Sequence, residues 1–339
     1  MKRILVLAAT VCGLATVLLL MSLTAGGSSS VTASLPLTMV GDIPLPGGAS
    51  RFDYESIDPQ THKLFIAHLG DSAITVFDTE NQKVVANITD VAHVHGVLAL
   101  PELGRVYASA TKTDEVVAID EKNLQITARI PGGVYPDGMA YAPDVHKLYV
   151  SDEVGTTETV IDTNTNRRVA TLHLWSVAGN SQYDPVSKHV FVNAQTRDQL
   201  VEIDPRTDTI VGRYDLPGAD GPHGLLIDAG DRLAFMGCEG NDRLIVFDMK
   251  AKRVIASFGV GKDPDVLAFD PGRRWLYVTS EQGVISVFDV ARGGVKKIGE
   301  GFLGANAHVV AVDAKTHRVY FPLKNVGGHP VLRIMEPNL

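Results

Sequence analysis

The chain repeats itself about every 42 residues, and that period restricts it to folds built from one small unit copied in series. Aligned copies open at Asp53-Tyr54-Glu55-Ser56-Ile57-Asp58-Pro59, His95-Gly96-Val97-Leu98-Ala99-Leu100-Pro101 and Asp137-Gly138-Met139-Ala140-Tyr141-Ala142-Pro143, and continue from Gly179, His223, Asp265 and His308. Their sixth residues, Asp58, Leu100, Ala142, Asp184, Asp228, Asp270 and Asp313, follow one another at gaps of 42, 42, 42, 44, 42 and 43. Seven copies are present. Each opening segment is followed by a β-rich run such as Lys147-Leu148-Tyr149-Val150-Ser151, then by an alternating strand ending in Asp at 78, 120, 162, 204, 248 or 289. A fourth strand, such as Lys83 to Ile88, closes the unit. Alternating Val, Ile, Phe and Tyr between Gly, Pro, Asn and Asp punctuation is the pattern of short antiparallel strands. Four strands per unit predict an all-β fold, a seven-bladed β-propeller of four-stranded antiparallel blades.

The seventh copy runs out after three strands, near Leu332 to Met335. Residues 37–43 precede Pro44-Leu45-Pro46-Gly47 much as Ile126 to Ile130 precede Pro131-Gly132-Gly133. They are therefore expected to supply the missing strand, so that the last blade is closed by the N-terminus and no edge is left open. No stretch of 34–339 reads as a helix.

The run Leu148-Tyr149-Val150-Ser151, with Val160 to Asn166 and Val169 to Leu172 after it, resembles the YVTN-repeat propeller family, including its YncE-like exported members. Tyr277-Val278-Thr279-Ser280 comes close to the motif that names the family. The resemblance implies the fold over nearly the whole of 34–339. It implies no single activity, because the family includes binding proteins, surface-layer-like proteins and lactonase-like relatives.

The first residues read as an export signal. Met1-Lys2-Arg3 is a short positive start, Ile4 to Leu23 an apolar run, and Thr24 to Ser30 a small, polar stretch. A signal peptide over 1–33, cleaved after Ala33, is expected to place the domain 34–339 in the periplasm or outside the cell. Twenty apolar residues also suffice to span a bilayer, so a membrane association would follow only if this segment were retained. Cys238 is the one cysteine beyond the leader, which leaves packing alone to hold the fold and predicts a buried thiol. Acidic residues outnumber basic ones 39 to 31, a net charge of −8 without a basic cluster. That balance speaks against nucleic acid as a partner.

In a propeller the first strand of each blade lines the central channel, and its opening residue stands at one mouth. Those openings read Asp53, His95, Asp137, Gly179, His223, Asp265 and His308. The three histidines fall in blades two, five and seven, the most even spacing that seven positions allow to three ligands. A tris-imidazole site of His95, His223 and His308 would suit zinc, copper or iron and leave a coordination position open, with Asp53, Asp137 and Asp265 between the rings. Polar residues at a wet mouth without a metal are the plainer reading of the same positions. The ends of the second strands reach the same face, and there His68, Glu153 and Glu239 are the expected ligand contacts. Arg51 and Tyr54 break the Pro-x-Gly pattern of other blades, and Asn180 follows the side-chain-free Gly179. No nucleophile elbow, zinc-protease helix, phosphate loop or dinucleotide fingerprint is visible.

Two functions remain open on these residues. One is an exported propeller that binds a small molecule, a metal ion or a protein partner at the channel mouth. The other is a metal-dependent, lactonase-like hydrolase acting from the tris-histidine ring.

Overall fold

The computed structural model describes residues 34–291 and 293–338, so the leader expected over 1–33 lies outside the described residues. It contains seven antiparallel sheets of four strands each. Blade one comprises Glu55–Asp58, Lys63–His68, Ala73–Asp78 and Lys83–Ile88, and blades two to six repeat that order. The only helical turns among the described residues are five three-residue 3-10 segments.

The last blade is assembled from both ends of the chain. Leu37–Pro44 pairs antiparallel with His329–Pro337, in the register Leu37↔Pro337, Met39↔Met335 and Ile43↔Leu332. Arg333 clamps the seam with a two-pronged ion pair, its Nε 2.8 Å and its Nη2 2.7 Å from the two oxygens of Asp42. A fork of this kind adds direction as well as energy. The expected N-terminal closure is what the chain does.

Side chains alternate along each strand, so both faces of a blade are covered by its neighbours. Apolar residues of blades one and two, such as Phe65, Ile74 and Val76 with Val97, Val106 and Val117, form one continuous core between them. Similar clusters fill the other junctions. Only the fourth strands alternate between exposed and half-buried, because they form the outer wall. Cys238 is fully buried in the cluster of blade five, and burial pushes its thiol up to about 12.

Local polar chemistry fixes the turns. Asp78 accepts hydrogen bonds from the amides of Glu80 and Asn81 at 3.0 and 2.8 Å, and Asp120, Asp162 and Asp248 do the same for their turns. This is the Asx geometry that the recurring Asp predicts. Blades are also pinned to one another: the Tyr149 hydroxyl donates to Asp208 at 2.5 Å and Lys147 pairs with the same carboxylate at 2.7 Å.

One irregularity positions the channel mouth. The first strands of blades two to six slip register across Val94/Val97, Pro136/Met139, Ala178/Ser181, Pro222/Leu225 and Pro264/Leu267. The two residues in each slip are the opening residue and its successor: x-Gly in blades two, three and five, Gly179-Asn180 in blade four and Asp265-Val266 in blade six. A bulge re-aims a side chain out of the ladder, and here it turns His95, Asp137, His223 and Asp265 toward the axis.

The closing strand makes a separable prediction. Asp42→Ala should lower stability by about 1 kcal/mol through loss of the half-exposed pair. Removal of residues 34–44 should abolish the single cooperative transition in scanning calorimetry, since it reopens the ring.

Candidate functional site: an acidic channel mouth

A cavity of about 310 Å³ opens at this mouth. It is lined by Arg51, Asp53, Leu69, His93, His95, Tyr135, Asp137, Glu153, His223, Glu239, Asp265 and Glu281. Six carboxyl groups thus face one guanidinium. The first-strand openings form the inner ring and are nearly dry: Asp53, Asp137, Asp265 and His308 are no more than 4% exposed.

The rings of His95 and His308 are held alike. Each Nδ1 donates at 3.0 Å to a carbonyl two residues upstream, of His93 and of Asn306 respectively. That bond sets the tautomer and leaves Nε2 as the acceptor on the axis side. The Tyr135 hydroxyl donates to His95 Nε2 at 3.1 Å, while His308 Nε2 has no hydrogen-bond partner and lies 3.7 Å from Asp265. Burial keeps both rings below the ordinary histidine range.

His223 behaves differently. Its Nε2 stands 3.2 Å from the Tyr54 hydroxyl, 3.5 Å from Asp265 and 3.8 Å from Asp137. Burial opposes its charged form, but the carboxylates around it, Glu239 foremost, outweigh burial and raise its pKa. Asp137 and Asp265 go the opposite way for a carboxyl. Burial drives both well above the usual carboxylate range, with repulsion from Asp53 adding to it. One oxygen of each, Oδ1, has no hydrogen-bond partner, an uncommon state for a buried carboxyl.

Tyr54 forms the floor. Its hydroxyl donates at 2.6 Å to Asn180 Oδ1 in blade four and meets His223 of blade five. The ring therefore reaches across the axis from blade one to the far side. Below it lies a second, smaller cavity of about 150 Å³ lined by Tyr54, Asn180 and apolar first-strand residues such as Val97 and Val266.

The sequence-predicted residues do not all meet. Arg51, Asp53, His95, Asp137, Glu153, His223, Glu239 and Asp265 share the mouth, and Tyr54 and Asn180 lie beneath it. His68 is packed away from the cavity, stacked on Phe52 at 4.1 Å with its Nε2 2.9 Å from Ser50 Oγ. The three imidazoles share the ring without forming one ligand set. Among the described residues, the groups whose ligand atoms lie within 4.8 Å of one another are His223, Glu239 and Asp265, and Asp53, Asp265 and His308.

Tyr135, Gln195 and Glu281 are further members of the site. Gln195 Nε2 approaches His223 Nδ1 to 2.5 Å, and Glu281 lies 3.6 Å from His308 Nδ1. Their signal was present in the repeat. The residue just after each second strand is Leu69, Thr111, Glu153, Gln195, Glu239 or Glu281, at gaps of 42, 42, 42, 44 and 42.

Comparison with known proteins agrees with this architecture. An uncharacterised protein YncE of Salmonella typhi is 29% identical over 96 residues, 28% of this chain and 27% of that protein. The YncE of Salmonella typhimurium matches over the same extent. The chain is a β-propeller with a stretch similar to YncE. The match spans about a quarter of those relatives' length, and no family model matches. Among solved structures, virginiamycin B lyase from Staphylococcus aureus superposes with a TM-score of 0.73 at 12% identity, over 88% of this chain and 99% of that one. The WD40 repeats of RRP9 give 0.73 at 11%, over 90% and 99%, and Kuenenia stuttgartiensis hydrazine synthase 0.69 at 16%, over 91% and 98%. At such identities the likeness shows the fold alone.

At this mouth, Glu239 is the charge that most favours the His223 imidazolium. Glu239→Gln should therefore move the His223 titration to lower pH, read from its ring proton resonances. An unchanged midpoint would contradict this electrostatic assignment.

Proposed function

We propose that this protein is an exported binding propeller whose channel mouth captures a small cation, most simply a divalent transition metal held by His223, Glu239 and Asp265. The observation that carries the reading is that triad, whose ligand atoms lie within 4.8 Å of one another at the wall of a six-carboxyl cavity. An imidazole with two carboxylates is a ligand set for zinc, copper or iron, and it leaves positions open for water or for a second group of a bound molecule. The buried carboxyls give independent support. Burial pushes Asp137 and Asp265 well above the usual carboxylate range, and a cation bound beside them would take the place of a proton. Export rests on the charged, apolar and small-residue order of the N-terminus. The periplasm or the extracellular space is the proposed compartment.

The sign of the pH dependence follows. A ligating Asp265 must be ionised and a ligating His223 neutral, and both pKa values are raised. Protons thus compete with the cation at both groups, so affinity falls as pH falls. Titration calorimetry of the mature protein with Zn²⁺ should show one equivalent bound. Its affinity should rise about tenfold from pH 6.5 to 7.5 for each proton released, and fall at least about tenfold in Asp265→Asn. Absence of binding, or binding indifferent to pH, would refute the reading.

A further inference from the structure

The opening of blade one departs from the repeat at Arg51, and that departure has a structural consequence. The Arg51 guanidinium lies over the blade-one, six and seven side of the mouth. Its Nε is 3.2 Å from Asp53 Oδ2, its Nη1 2.5 Å from Glu281 Oε1 and its Nη2 3.9 Å from Asp265 Oδ2. These contacts use two residues of the second ligand group, Asp53, Asp265 and His308. Asp265 divides the mouth between its two oxygens. Oδ2 faces Arg51 and His308, while Oδ1 faces His223 at 3.5 Å.

We propose that the mouth is built as two cation positions sharing Asp265, and that Arg51 is a built-in cation occupying one of them. This rests on the reading of the mouth as a cation site and deepens it, because it names the residue that sets how many cations enter and where. The guanidinium does not give up its proton, so one positive charge stands permanently among Asp53, Asp265 and Glu281. The unpartnered Nε2 of buried His308 stays without a metal to ligate, because a positive group already stands before it. An incoming cation is confined to the blade-five side, with His223 and Glu239, and the protein takes one ion rather than two. Arg51 is the specificity-determining residue, and it acts by repulsion as much as by occupancy. The opening segments of blades two to six carry no arginine at this position: His93, Tyr135, Val177, Gly221 and Asp263 stand there.

The test counts Zn²⁺ equivalents by calorimetry and by elemental analysis of the mature protein. Arg51→Gln should double the bound Zn²⁺ from one equivalent to two, and the second should disappear again in Arg51→Gln/His308→Ala. Arg51→Lys, which keeps a positive charge in place, should stay at one. Arg51→Ala gives an independent reading should the glutamine variant fail to fold, with circular dichroism confirming the sheet. An unchanged single equivalent in the folded glutamine or alanine variant overturns the proposal while leaving the one-cation mouth standing. If the parent binds none but Arg51→Gln binds one equivalent that requires His308, the proposed function fails and the role of Arg51 holds. Two equivalents in Arg51→Lys would overturn the proposal, since charge would then not be what excludes the second ion.

Discussion

Everything at the functional end of this molecule depends on how closely seven innermost strands crowd around one axis. At Gly96 an added Cβ would stand 2.1 Å from the Asp137 carbonyl oxygen, and at Gly224 it would stand 1.9 Å from that of Asp265. No side chain fits at that separation, which is why glycine recurs there. The residue before it is turned onto the axis by the bulge. In blades two, three and five the crowding thus spends one position on glycine and delivers the preceding residue to a shared ring. Blades one, four, six and seven carry Tyr54, Asn180, Val266 and Val309 there, and the Tyr54 ring crosses to Asn180 and His223 and closes the mouth from below.

Such convergence concentrates charge. Asp53, Asp137 and Asp265 arrive at one dry ring with Glu153, Glu239 and Glu281 beside them. Desolvation and mutual repulsion then act on the same groups, and both favour the protonated form of a carboxyl. The chain relieves this in three ways: by raised pKa values at Asp137 and Asp265, by a raised pKa at His223, and by the guanidinium of Arg51. The first two are reversible and the third is not. That difference separates the His223 side of the mouth from the Arg51 side.

The strands themselves are not what distinguishes this protein from other propellers, since structures as different as a lyase and a set of WD40 repeats superpose on it at 11–12% identity. Its individuality lies in which side chains the repeat places at two offsets: the opening of the first strand and the residue after the second. Mutations in the blade junctions would act through packing, whereas those at the two offsets act on the charge of the mouth.

The repeat period, the strand count, the closing N-terminal strand and the inner ring were all legible in the sequence, because each is a one-dimensional regularity that pairing between neighbouring strands preserves. The second ring was equally periodic, with Glu153, Gln195, Glu239 and Glu281 in register. Gln195 and Glu281 stand at the same offset as Glu153 and Glu239, one residue beyond the second strand. The even spacing of His95, His223 and His308 suggested a tris-imidazole set, yet the distances group His223 with Glu239 and His308 with Asp53. Equal angles around a ring say nothing of how far each side chain reaches or which neighbour it meets first. His68 was at the right height but is turned onto Phe52. The amino-acid sequence by itself determined the order of the blades and which residue types stand at the mouth. Only the tertiary structure decided which of them touch, which have their pKa values raised and which carboxylates Arg51 meets, because those depend on distances across the axis between residues of different repeats.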